Sequence, residues 1–490
     1  MSTPPIPALT MKPPAWGGVL LLGGFAATLA ALFVVANWSA ALFGALVIVA
    51  FSAVENEPFL LFIIFLLPIG WFARITLPLG GDAARLDVPA AVRILVVGGF
   101  FAGRLWRGGI RLRELFKPQL TRASLLLLVA ALASLVLGTS GITYGSLKAN
   151  VRLISYVGFY FFILSWVNSR KRLRMVVVTI LASTILVALF GILQEIVGDY
   201  TSLWNYLNPP EDWFLPMEGR VPSFLNYSTT LAGYLNLVLP FALACYILVK
   251  SGVLAKLSAW TLGLGLLSLT FTQTRAAMLG FGCVIGLAIL YFCHGWKRRL
   301  IYLLGLLVFG AGAAVLSNML SPDHLALNAN GGQDIVTRLI LWTTAVRLFI
   351  TSPVFGIGYG NYVELYGSYI SVSWIPKGIL GVHNTYLQFL TETGLVGFAA
   401  FAFLIFRAAR QAFHQMYDSI SGFERALAFG TLGAIVTILV QGCVDFLFGV
   451  SSQFGTLFWI WLALLVVSAR IHGRFSSLTD GKHFETGQCT

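Results

Sequence analysis

Apolar runs close to the ~20 residues needed to cross a bilayer recur from Gly17 to Val467, separated by short polar connections. The hydropathy pattern predicts spans at Gly17–Asn37, Ala40–Val54, Pro58–Leu77, Val88–Trp106, Ser124–Leu137, Arg152–Val167, Met175–Val197 and Leu225–Val249. Six more are predicted at Leu257–Phe271, Ala276–Phe292, Leu300–Leu316, Tyr386–Phe406, Ala426–Phe448 and Phe454–Val467. The expected fold is therefore an all-α, polytopic membrane bundle of about 12–14 transmembrane helices. The first apolar run is longer than a signal-peptide core and reads as an uncleaved span.

The basic residues between these runs set the orientation. Lys12, the cluster Arg104, Arg107, Arg111, Arg113, Lys117 and Arg122, the run Arg170, Lys171, Arg172 and Arg174, and Lys297, Arg298 and Arg299 fall in alternate connections. So do Lys250, Lys256, Arg407, Arg410, Arg425, Arg470 and Arg474. Cytoplasmic loops retain Lys and Arg, so these connections and both termini are expected inside. The chain then divides into N-terminal spans (1–197), a first extracytoplasmic loop (198–224), central spans (225–316), a large extracytoplasmic loop (317–385), C-terminal spans (386–470) and a cytoplasmic tail (471–490).

The large loop is too long for a simple connection and should carry structure of its own. Ile335, Leu339, Trp342, Val346 and Phe349 recur in it at helical spacing, which predicts an amphipathic helix on the membrane surface. The following TSPVFGIGYGNY, with Gly356, Gly358 and Gly360, lacks the strand and helix of a dinucleotide site and reads as a Gly-rich turn.

Composition sharpens this picture. Hydrophobic residues make up 58% of the 490 and charged ones 10%, too apolar for a water-soluble core. The net charge of +13 lies in membrane loops rather than on a folded basic face, so no nucleic-acid partner is expected. Five cysteines show neither paired nor zinc-ligand spacing, and no metal site or cofactor is predicted.

The residues with chemical potential collect on the outer side. Arg220 precedes a span that opens on Asn226, Tyr227, Ser228, Thr229 and Thr230; Arg275 occupies the tight turn TFTQTRAAML. Arg338, Arg347 and Lys377 are further outer cations. Cations retained where the insertion rule disfavours them either snorkel to lipid phosphate or bind an anionic ligand, and local sequence leaves both uses open. His383, in GVHNTYLQFLTETGLVGF, is expected on one face of a starting helix with Tyr386, Leu387 and Leu390, with Gly394 continuing that face. A histidine there serves either as a hydrogen-bonded helix-start residue or as a proton acceptor near neutral pH. Glu392 would orient His383 or hold a structural hydrogen bond, and Gln441 and Asp445 in the penultimate span should face the interior.

In their order along the chain, these segments resemble the O-antigen ligase and polymerase superfamily of bacterial envelope glycan assembly. The resemblance is carried by GRVPSFLN, TQTRAAML, RLILW, SPVFGIGYGNY and HNTYLQFLTETGLVGF, over about Arg220 to Phe406. Leu225 stands where the family usually has proline before the asparagine, and Thr274 and Ala276 flank the arginine of the TR turn. The resemblance implies metal-independent transfer of a glycan from a polyprenyl diphosphate carrier to an acceptor hydroxyl, of lipid A core or of another glycan, at the periplasmic face of the inner membrane. It implies His383, Arg220 and Arg275 as catalytic residues, and Arg338, Asn384, Asn226, Tyr386 and Glu392 as substrate-binding residues. Membrane lipid and envelope-assembly proteins are the remaining expected partners, the latter docking on the basic loop Arg104 to Arg122. A ligase, a polymerase and a protein O-oligosaccharyltransferase share this donor chemistry. An inorganic-carbon transporter is a different reading, and the one-sided polar cluster without paired halves counts against it.

Overall fold

The computed structural model describes residues 38–69, 76–77, 84–85, 88–109, 115–199, 201, 220–225, 227–307, 329–370, 372, 375, 381–419, 421–450 and 452–485. In chain order the elements are α1 (Trp38–Ala53), α2 (Glu57–Leu66), the two-residue antiparallel pair β1 (Thr76–Leu77) and β2 (Ala84–Arg85), α3 (Val88–Trp106), α4 (Gln119–Leu137), α5 (Tyr144–Trp166) and α6 (Arg170–Val197). There follow α7 (Ser228–Leu248), α8 (Val253–Phe271), α9 (Arg275–Phe292), α10 (Ala329–Thr351), α11 (Tyr362–Tyr369), α12 (Thr385–Asp418), α13 (Gly422–Gln441), α14 (Leu447–Val450) and α15 (Ser452–Glu485).

The protein is a polytopic helical membrane protein. Among the described residues, ten helices are long and apolar enough to cross a bilayer: α3 to α9, α12, α13 and the Gln453–His472 part of α15. The predicted span Gly17–Asn37 lies outside the described residues, as does most of Leu300–Leu316. The predicted span Pro58–Leu77 is shorter in the structure, because α2 stops at Leu66.

Local chemistry explains where these helices begin and end. Thr143 and Ser146 form a reciprocal capping box, so α5 starts at Tyr144 rather than at the predicted Arg152. Ser169 caps α6, and Gly198 closes it in the left-handed conformation (φ 73°) that glycine adopts without cost.

At the centre, α7 packs against α13, α8, α9 and α15. The α7–α13 approach is close because Gly430 and Gly433 face Phe241 and Pro240: a Cβ at Gly433 would lie 2.6 Å from the Pro240 Cβ. Small residues that let helices touch are how packing energy accumulates in lipid.

The two ends of the bundle differ. One carries the ion pairs of Glu55 with Arg104 (2.8 Å) and Arg107 (2.9 Å), Glu57 with Arg172 (3.0 Å), and Glu424 with Arg170 (3.0 Å) and His472 (3.3 Å). The opposite end carries the α4–α5 turn, the 220–225 segment, the α8–α9 turn, the start of α12 and the end of α13.

Helix α10 differs in register from the stripe expected. Its protein-facing side is Leu341, Thr344, Ala345 and Leu348, packed toward α12, where the Thr391 hydroxyl donates to the Ala345 carbonyl (3.0 Å). Leu339 and Val346, from the expected stripe, point away from the protein with Val336 and Ile350. The helix therefore has two apolar sides, one for α12 and one for its surroundings.

Candidate functional site

Arg220 is bonded to the turn that leads into α9, whose first residue is Arg275. The 220–225 segment runs along the end of α8: the Val221 amide donates to the Phe271 carbonyl (3.1 Å), the Ser223 amide to Gln194 Oε1 (2.8 Å) and the Ser223 hydroxyl to the Val187 carbonyl (2.7 Å). This pins Arg220, whose Nε donates to the Thr272 carbonyl (3.2 Å) while Nη2 reaches Thr274 Oγ1 (3.4 Å). Thr274 precedes α9 without capping it through its side chain, and Arg275 is the first helical residue, exposed. The Arg220 guanidinium and the residue Arg275 thus stand at a helix N-terminus, whose unsatisfied amides and dipole already favour negative charge.

His383 sits at the same end, on the link entering α12. It precedes the helix rather than lying on its face as expected, because Asn384 is the N-cap: Asn384 Oδ1 accepts the Leu387 amide (2.9 Å). His383 has φ 53°, the left-handed region uncommon for a side chain of its size. The link is tied to the end of α13: Asn384 Nδ2 donates to the Cys443 carbonyl (2.8 Å), the Thr385 amide to the Gly442 carbonyl (2.8 Å) and the Thr385 hydroxyl to the Asp445 carbonyl (2.7 Å). Tyr386 is a structural anchor, its hydroxyl donating to the Leu439 carbonyl (2.6 Å).

A path of polar contacts joins the two parts. Gln441 Nε2 donates to the Thr229 carbonyl (3.3 Å) and to Asp445 Oδ2 (3.2 Å), as its interior placement predicts. Thr229 lies in the first turn of α7, just after Tyr227, whose phenol burial pushes up to about 12. Deeper in, Asn236 Nδ2 donates to the Ala277 carbonyl on α9 (3.0 Å), and the Thr437 hydroxyl on α13 donates to the Asn236 carbonyl (3.2 Å). Helices α7, α9 and α13 therefore fix the arginine pair and the His383 link relative to one another.

The remaining predicted residues are placed as follows. Arg338 is half-buried on α10. Glu392 is buried at 1% exposure and bonds to Gln388 Nε2 (2.5 Å) and the Tyr362 amide (3.2 Å). Asn226 and Lys377 lie outside the described residues.

Helix α12 is interrupted within this region. Gly394 (φ 62°, ψ −167°) breaks it, rather than continuing a helical face, and the Gly-rich turn fills the break. The Ile357 amide donates to the Thr391 carbonyl (3.0 Å) and the Gly358 amide to the Glu392 carbonyl (3.0 Å). Past the break, the Leu395 amide donates to the Pro353 carbonyl (2.9 Å) and the Val396 amide to the Val354 carbonyl (3.2 Å).

Three residues of this end were not singled out from the sequence. Asn361 ties the turn to the α4–α5 connection through the Thr143 hydroxyl (2.6 Å) and the Gly141 carbonyl (3.1 Å). Gln388 bridges Val382 to Glu392. Arg93, 1% exposed, bonds to Ser155 (3.0 Å) and Thr456 (2.9 Å) and lies over the Tyr156 ring. A buried polar residue four positions from another on one helix face was the available signal for Gln388.

Residues 260–402 match the family model described as O-antigen ligase, a stretch that contains Arg275, Arg338, His383 and Glu392 but not Arg220. Over 214 residues the chain is 24% identical to a protein of Rickettsia conorii named as a polysaccharide ligase, covering 38% of this chain and 51% of that protein. Over 186 residues it is 26% identical to the exopolysaccharide production protein ExoQ of Rhizobium meliloti, covering 37% and 42% respectively. The matches thus span about half or less of those relatives.

Proposed function

We propose that this chain, whose residues 260–402 match the O-antigen ligase family model, transfers a glycan from a polyprenyl diphosphate carrier to an acceptor hydroxyl at the periplasmic face of the bacterial inner membrane. The observation that carries this reading is the anchoring of Arg220 to the turn immediately before Arg275 at the start of α9, at the same end of the bundle as His383.

The acceptor oxygen attacks the anomeric carbon as the bond from that carbon to the diphosphate oxygen breaks. Negative charge then grows on the departing polyprenyl diphosphate. Forked guanidinium donors from Arg220 and Arg275, beside the amides of α9, stabilise that charge and supply what a divalent cation supplies elsewhere. His383 takes the acceptor's proton as attack proceeds from the opposite face, which inverts the anomeric centre. Basic residues and their ion pairs at the other end support assigning that end to the cytoplasm.

Lipid A core is the proposed acceptor, which makes the protein a ligase. Similarity to an exopolysaccharide production protein favours a second reading, in which the acceptor is another carrier-linked glycan. Purified protein incubated with a polyprenyl diphosphate glycan and either acceptor separates them. Elongation of lipid A core supports the ligase, elongation of the second glycan the polymerase, and solute flux without transfer overturns both.

A further inference from the structure

A buried carboxamide and a buried carboxylate stand behind the His383 link. Gln388 Oε1 accepts the Val382 amide (2.9 Å), and Gln388 Nε2 donates to Glu392 Oε1 (2.5 Å), which also accepts the Tyr362 amide (3.2 Å). Both side chains are 1% exposed and sit one helical turn apart on the outer half of α12. The Glu392 backbone is fixed as well, its carbonyl accepting the Ser134 hydroxyl (2.6 Å) and the Gly358 amide (3.0 Å). One continuous chain of bonds therefore runs from α4 and the Gly-rich turn, through Glu392 and Gln388, to the residue before His383.

Two physical considerations give this chain a purpose. Burying a carboxamide and a carboxylate among apolar helices costs several kcal/mol unless each is bonded, so apolar residues would pack this helix as well at lower cost. His383 is also held at φ 53°, a conformation that costs about 1 kcal/mol for a side chain with a Cβ and persists only when braced. On the α13 side the bracing comes from Asn384 and Thr385. On the N-terminal side it comes from Gln388.

We propose that Gln388 is a positioning residue for His383, its carboxamide bracing the 381–384 link against Glu392, which the Gly-rich turn holds in place. Glu392 then acts on the reaction through Gln388, without contact with substrate. The inference rests on the reading of His383 as the proton acceptor.

The test uses the full-length protein in detergent or nanodiscs, with a polyprenyl diphosphate glycan and its acceptor. It combines transfer kinetics with amide hydrogen exchange at residues 381–384. Gln388→Ala is expected to lower turnover about a hundredfold, as sub-ångström to ångström misplacement of a reacting group does. Donor KM stays unchanged, and exchange at 381–384 accelerates. In a His383→Ala background Gln388→Ala adds no further loss.

The exchanged pair Gln388→Glu with Glu392→Gln keeps the bond between the two side chains and the acceptor for the Val382 amide, and gives up only the acceptor that Glu392 Oε1 offers the Tyr362 amide. It is expected to restore most of the turnover that either single variant loses. Wild-type turnover or wild-type exchange in Gln388→Ala overturns the proposal, as does an exchanged pair no better than its singles. Gln388→Met, which nearly conserves volume but offers the Val382 amide no oxygen, serves where the alanine variant does not insert. Full activity of His383→Ala alone sinks the reading of His383, while exchange at 381–384 still decides whether Gln388 braces the link.

Discussion

Gly356 and Gly394 meet backbone to backbone: a Cβ at Gly356 would lie 2.6 Å from the Gly394 nitrogen, and a Cβ at Gly394 would lie 2.7 Å from the Gly356 nitrogen. Both have positive φ, 73° and 62°. The contact lets the Gly-rich turn supply partners for the Thr391 and Glu392 carbonyls and the Leu395 and Val396 amides, which α12 leaves open at its break.

Alanine at Gly394 therefore meets both a left-handed backbone and the Val354 carbonyl at 2.3 Å. Gly394→Ala is expected to cost about 1–3 kcal/mol and to lower the thermal midpoint in detergent. Gly356→Ala should behave similarly, whereas Gly282→Ala, which has nothing within 4 Å of its Cβ, should leave the midpoint unchanged.

The Arg220 guanidinium is held by two of its nitrogens, since Nε and Nη2 each have a partner in the turn before Arg275. Arg220→Lys keeps the charge but loses that geometry. We expect it to weaken transfer by about tenfold to a hundredfold, against a larger loss for Arg275→Ala. Initial rates over a titration of carrier-linked donor measure both.

The far end of the bundle should be sensitive to acid. Burial pushes the Glu55 carboxyl up, but the Arg104 hydrogen bond and the charges of Arg104, Arg107 and Arg172 together outweigh it, leaving Glu55 below its ordinary value. A depressed carboxyl contributes stability above its unfolded value of about 4.3 and loses it as pH falls through the folded one. Thermal midpoints from pH 7 downward should decline in that window, and Glu55→Gln should flatten the decline.

Arg93 fills a buried site among α3, α5 and α15. Truncation to Ala removes the guanidinium from the Ser155 and Thr456 hydroxyls and opens a cavity. Arg93→Ala is expected to destabilise the protein by about 2–4 kcal/mol, with the KM for donor unchanged, as thermal unfolding and kinetics together would show.

Long spans were legible from hydropathy because lipid demands apolar length, and α7, α8, α9 and α13 lie close to where it puts them. Arg220, Arg275 and His383 stood out because cations and a histidine at outer span ends are unusual. The break in α12 was not legible, since glycine in a membrane helix ordinarily serves packing and only the docked Gly-rich turn makes a break affordable. His383 was expected on the helix because its spacing fits one face, but Asn384 is the better cap and displaces it. Arg93 was not singled out, because the partners that surround it, Ser155 and Thr456, lie far from it in the sequence.

In the proposed reaction His383 performs chemistry while the arginine pair holds the donor's diphosphate. This division is tested most directly by measuring donor binding and single-turnover transfer in His383→Ala beside Arg275→Ala. His383→Ala is expected to bind the polyprenyl diphosphate glycan as the native protein does but to transfer it about a hundredfold to ten-thousandfold more slowly, whereas Arg275→Ala is expected to lose binding. Native transfer rates in His383→Ala, or native donor binding and transfer in Arg275→Ala, would contradict it.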